Sequence, residues 1–210
     1  MPGSITSDVI KPPAPPRSGG FGGGGGSDGR GASRRASMTG LMVLLAATTM
    51  AFAAFTSAFV VRRGISNDWV ALRLPHILWV NTGVLIASSL LLEWARRALK
   101  AGRRTEFNGY WTAGTVLGLL FLLGQAYAWL QLNEAGIFVS TNPSSSFFYL
   151  FTALHALHVV GGLAGLILVI ARLSRAVPSL RVSTLSTVSY YWHFMDGLWI
   201  YLLLLLWMRI

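Results

Sequence analysis

Two histidines three residues apart, His155 and His158, and a second pair at the same spacing, His193 and Asp196, are the residues whose types point to chemistry. Histidines on facing helices hold haem in membrane cytochromes, and imidazole with a carboxylate is a ligand set for divalent metals. Residues three apart on a helix lie on the same side, so His155 and His158 are unable to bind the two faces of one haem. A mononuclear site built from His155, His158 and His193 stays geometrically open, with Asp196 as its one carboxylate. The chain has no cysteine, which removes thiolate ligation, disulfides and thiol redox chemistry. Two further readings stand beside metal binding. Neutral imidazoles can hydrogen-bond between helices, at ~0.6 to 2 kcal/mol each within a membrane, or they contact lipid head groups or a proton path.

Asp196 narrows the choice. A carboxylate at the centre of a membrane helix costs about 2.5 to 3.5 kcal/mol on insertion scales and requires a partner. His193, one turn away, is the nearest, either as a hydrogen-bond partner of a neutral acid or in an ion pair. Glu93 lies three and four residues before Arg96 and Arg97, the spacing of an ion pair on a helix end, and no chemistry is assigned to it. Arg172 reads as a topology charge or as a ligand for a lipid phosphate.

The elements that carry these residues follow from composition. The 210 residues are 53% hydrophobic, with a mean hydropathy of +0.56, well beyond an ordinary soluble domain. Five stretches, at about 40–61, 77–95, 110–132, 147–171 and 184–208, each provide the roughly 20 apolar residues that a membrane crossing requires. Residues 1–37, rich in proline, glycine and serine, read as a disordered tail rather than a signal peptide, because no short apolar core follows a basic patch directly. The net charge of +10 comes from arginines in short runs between the apolar stretches, which points to topology signals and away from a nucleic-acid partner. Thirteen of the 17 Lys and Arg residues fall in alternate connecting segments that include the N-terminal one. The positive-inside rule then predicts a cytoplasmic N-terminus and an outside C-terminus. Trp94 and Trp111 fall near the inner boundary, and Trp79, Trp129 and Trp207 near the outer one, as an aromatic belt requires. No internal repeat and no proline within a span is present, which weighs against a transporter.

At 100° per residue four spans carry a polar or small face. In the fourth, Phe148, Phe151, His155, His158, Gly162 and Gly165 share a sector, and Gly161 with Gly165 forms a GxxxG spacing for close helix packing. The third aligns Trp111, Gly114, Gly118, Gln125 and Trp129; the second aligns Asn81 with Ser88 and Thr82 with Ser89. The fifth gathers Ser189, Trp192, His193, Asp196 and Trp199. The expected fold is therefore an all-α integral membrane bundle of five transmembrane helices, packed through these faces.

Two stretches, "FFYLFTALHALHVVGG" at 147–162 and "SYYWHFMDGLWIYLLLLLW" at 189–207, resemble the last two helices of subunit III of the haem-copper terminal oxidases. HxxHxxxG in one helix with YWHFxDxxW in the next is a specific pairing. The resemblance extends more weakly over 40–210 and leaves out the tail. It implies an accessory subunit of the short, five-helix form, part of a cytochrome c oxidase complex in the bacterial inner membrane. Such a subunit carries no catalytic, cofactor or metal site of its own. Haem and copper belong to partner subunits, above all the catalytic subunit I, alone or within a larger respiratory supercomplex. The family's roles are stabilising subunit I, sustaining its proton uptake, and holding phospholipid in a cleft that guides oxygen. By motif, His155, His158, Trp192, His193 and Asp196 match positions inside the subunit, and Arg172 matches a lipid-binding arginine.

The chain also departs from the family. Glutamates that the family often carries are replaced by Thr48 or Thr49 in the first span and by Ser186 before the last motif. A mechanism that depends on those carboxylates does not carry over. A quinol oxidase or nitric-oxide reductase accessory subunit, and a stand-alone histidine-ligated cytochrome, are the competing readings.

Overall fold

The computed structural model describes residues 25–65, 69, 74–174 and 182–209. They form five helices: α1 (Gly25–Ile65), α2 (Ile77–Lys100), α3 (Arg104–Glu134), α4 (Pro143–Ser174) and α5 (Val182–Arg209). The start of α1 at Gly25 falls inside the expected tail, whose first 24 residues lie outside the described ones. The helices outrun the apolar stretches because their polar ends, such as Arg97 and Lys100 of α2, complete the last turns.

Four of the helices, at Met38–Ile65, Ile77–Lys100, Arg104–Glu134 and Pro143–Arg172, are long and apolar enough to cross a membrane. At 28 residues α5 has the length, about 42 Å at 1.5 Å per residue. Its His193, Asp196 and interspersed Trp and Tyr residues dilute the leucine run at 202–206, so by composition it stands apart from the five equal spans expected.

Two turns are set by local sequence. After α2, Gly102 takes φ +75°; its N–H and that of Arg103 donate to the Leu99 and Ala98 carbonyls. After α3, Gly136 repeats the geometry at φ +75°, with Ile137 N–H bonded to Leu132 O at 2.9 Å. Both are Schellman caps, in which a left-handed residue satisfies the last carbonyls and glycine bears no Cβ penalty. At the start of α4 the Asn142 side chain accepts the Ser145 N–H at 2.9 Å, and Pro143 occupies the first helical position, where its missing N–H costs nothing.

The packing closes a ring. α2 lies against α3, α3 against α4, α4 against α5, and α5 returns to α2, while α1 sits outside against α4 and α5. The ring is polar and aromatic within: Asn81, Ser88, Ser89, Gln125, Thr152, His155, Ser189 and Asp196 are buried alongside Trp111, Trp192 and Trp199. Its exterior is aliphatic, with Val80, Leu90, Leu123, Leu157, Ile167 and Leu204 exposed. Lipid tails are as apolar as leucine, so such helices associate through close packing and interhelical hydrogen bonds rather than through hydrophobic burial. Both are visible. Asn81 Nδ2 donates to Phe121 O at 2.9 Å, Ser88 Oγ to Gly114 O at 2.8 Å, and Trp111 Nε1 to Leu166 O at 3.2 Å. Across the middle, Trp192 fills the space above Gly118, where a Cβ would come within 2.6 Å of its ring.

Candidate functional site

The histidine pair of α4 divides between two surroundings. His155 points into the ring, fully buried, its imidazole 5.0 Å from the Trp199 ring and 5.9 Å from that of Phe121. Neither of its nitrogens has a partner. His158 turns towards α1 instead: its ring lies 5.9 Å from Phe52, and Nδ1 meets the Leu154 carbonyl at 2.8 Å, so that nitrogen carries the hydrogen. The 60° between residues three apart on a helix suffices to place one inside the ring and one at its flank. The shared sector drawn from the sequence is thus too coarse here.

On α5, His193 does not rely on Asp196. Its Nδ1 lies 3.3 Å from Ser89 Oγ of α2. The hydrogen-bond partner of His193 is therefore supplied by a neighbouring helix. Asp196 is 9% exposed, and its Oδ1 has no partner. Trp199 Nε1 donates to Thr82 Oγ1 at 2.9 Å, a second α5–α2 contact about two turns further along. Trp192 is buried with its indole N–H unpaired.

At the nearer end of the α2–α5 seam, Glu93 pairs with Arg96 at 3.0 Å and Arg97 at 3.3 Å, as its spacing predicts. The Arg96 guanidinium stacks 5.0 Å above the Tyr190 ring. Sequence reasoning missed Ser89 and Glu93 as parts of one site. The signal was present: Thr82, Ser89, Glu93 and Arg96 recur at helical spacing on one face of α2.

The three histidines and Asp196 do not converge. Among the described residues no three His, Cys, Asp or Glu side chains form a metal-holding group; the mononuclear set that spacing left open is split between the ring interior, its flank and the α2–α5 seam.

The glycines of α4 also divide. Gly162 packs closely, since a Cβ there would meet the Tyr191 and Trp192 rings at 3.0 to 3.2 Å. Gly161 and Gly165 leave room, the nearest atoms being Tyr191 Oη at 3.9 Å and Val188 at 3.4 Å. They floor a cavity of about 500 Å³ between α1, α4 and α5, walled by Leu41, Leu44, Leu157 and His158. Tyr191 Oη donates to the His158 carbonyl at its edge, 3.0 Å away. Arg172 is exposed two turns beyond Gly165 on α4.

The profile of the family "Cytochrome c oxidase subunit III" matches residues 34–209. "Cytochrome c oxidase subunit 3" of Corynebacterium diphtheriae is 33% identical over 170 residues, covering 77% of this chain and 82% of the relative. "Probable cytochrome c oxidase subunit 3" of Mycobacterium tuberculosis is 34% identical over 168 residues, with the same coverage. "Cytochrome c oxidase subunit 3" of Thermostichus vulcanus is 31% identical over 175 residues, covering 80% and 84%. The family match takes in α2 to α5 and with them His193, Asp196, Trp192 and Trp199. An all-helical chain that buries its polar side chains between helices, matched over this length, belongs to the cytochrome c oxidase subunit III family.

Proposed function

We propose that this chain is the non-catalytic subunit III of a proton-pumping cytochrome c oxidase in a bacterial inner membrane. All five helices span the membrane, with the N-terminus cytoplasmic and the C-terminus outside. The haem and copper belong to the partner subunits, catalytic subunit I first among them, and this chain stabilises that subunit and supports its supply of oxygen and protons. The observation that carries the reading is the family match over residues 34–209. The packing supports it, because interior polar groups such as Asn81, Ser88, Trp111 and Trp199 bond between helices.

The groove at Gly161 and Gly165 takes a phospholipid acyl chain. Its lining is mainly leucine, valine and glycine, its volume of about 500 Å³ accommodates part of a lipid tail, and Arg172, two turns beyond Gly165 on α4, holds the phosphate. His158 and Tyr191 shape the wall.

Mild detergent extraction with an affinity tag on this chain tests the assignment. The expected result is a co-purifying haem-copper subunit in equal amount, with all haem absorbance belonging to that partner. A Soret band retained by this chain when stripped of partners would overturn the reading in favour of a cytochrome.

A further inference from the structure

Gln125 of α3 and His155 of α4 are 1% and 0% exposed, and none of their four polar side-chain atoms has a hydrogen-bond partner. Contacts on either side of them fix how the two helices face each other. Trp129 Nε1 donates to Thr152 Oγ1 at 3.0 Å, and a Cβ at Gly118 would lie 3.6 Å from Leu163 Cδ1. Eleven residues back along α3 thus match eleven forward along α4, as helices of equal rise running in opposite directions require. That register sets Gln125 opposite His155 and Ala156. Phe121, one turn before Gln125, meets the imidazole edge-on at 5.9 Å.

The neighbouring polar groups at this level are engaged elsewhere. Thr152 O–H donates to Phe148 O at 2.8 Å, Thr82 O–H to Leu78 O at 2.7 Å, and Asn81 Nδ2 to Phe121 O at 2.9 Å. Trp199 covers the imidazole from α5, its ring 5.0 Å away, while its indole N–H is directed to Thr82. Two fully buried polar side chains therefore face each other across the α3–α4 contact with their whole hydrogen-bonding capacity unused.

We propose that Gln125 and His155 form an internal water site, in which ordered water bridges the amide of α3 to the imidazole of α4. The donor set selects the occupant. The amide offers N–H and a carbonyl oxygen, and a neutral imidazole offers one N–H and one lone pair. A cation would use only the acceptors and an anion only the donors, so either would leave half of the set unpaired. Water both donates and accepts, and buried water characteristically joins polar groups that lack other partners. A direct bond between the two side chains would use one atom of each and leave the other two orphaned, which is costly in a low-dielectric interior. The site does not rest on which subunits surround the chain.

Cryo-electron microscopy of the tagged chain, with the partners it retains and at a resolution that shows ordered water, tests it. The expected result is a density peak within about 3.2 Å of a polar atom of both side chains. His155→Phe keeps a ring between Trp199 and Phe121 but no polar atom, and should abolish the peak; Gln125→Leu should do the same. Each single variant leaves the other residue orphaned and should lower the temperature at which the solubilised protein unfolds. The double variant leaves neither, so its loss should be smaller than the two single losses together. A wild-type map with no peak there, a map with amide and imidazole bonded directly, or strictly additive losses would each overturn the site. The wild-type map alone decides if the variants fail to fold.

Discussion

Gly118 shows how much a single position carries. Its missing side chain is the space that Trp192 occupies from the opposite side of the ring, and the same indole lies against Gly162. Gly118→Ala should therefore displace Trp192 and cost about 1 to 3 kcal/mol, the usual penalty of overpacking a filled interior. Gly83→Ala adds the same methyl where nothing lies within 4 Å and should be neutral or slightly stabilising. The difference in subunit retention on heating the detergent-solubilised complex checks the pair. Asn81 is the hydrogen-bonding counterpart. Its Nδ2 donates to the Phe121 carbonyl from a buried position, and Asn81→Leu should cost about 0.6 to 2 kcal/mol in a denaturation titration. An unchanged midpoint would show that this hydrogen bond adds nothing to the hold between α2 and α3.

At the scale of the element, the two glycine-ended turns make the plainest forecast. Gly102 and Gly136 both sit at φ +75° with open space around them, so alanine would be strained by backbone conformation and not by crowding. Each substitution should destabilise by about 1 kcal/mol. The two effects should add, since the turns cap different helices; unfolding midpoints of the single and double variants measure this. Helix faces were legible in the sequence for the same local reason that these turns were. The 3.6-residue period fixes which side chains share a side, and Ser189, Trp192, Asp196 and Trp199 do line the interior. What periodicity does not contain is the neighbour. His193 finds its partner 104 residues away on α2, and nothing within α5 encodes that choice. The division of His155 from His158 was hidden similarly, because the boundary between ring and groove depends on where α1 lies.

For the whole molecule, a closed ring of four helices with a fifth outside it means that the groove has one movable wall. α1 contributes Leu41 and Leu44 to that wall, while α4 supplies the glycine floor. Replacing Gly161 and Gly165 together by leucine should fill the cavity without touching the ring interior. The expected outcome is loss of one tightly held phospholipid per complex by mass spectrometry, with haem content unchanged and subunit retention reduced. Arg172→Ala should loosen the same lipid without removing it. Retention of the full lipid complement in the double leucine variant would assign the groove to a protein contact instead.

Ring closure also has a consequence for biogenesis. The pair that closes it, α2 and α5, comprises the first ring helix synthesised and the last. Until α5 joins the bundle, Thr82 and Ser89 of α2 stay uncovered, without the tryptophan and histidine that later engage them. Polar groups so placed are costly, and the nascent chain carries that cost through the synthesis of three helices. A chain halted before residue 182 would keep it permanently, and its exposed hydroxyl stripe would mark it as incomplete to a membrane protease.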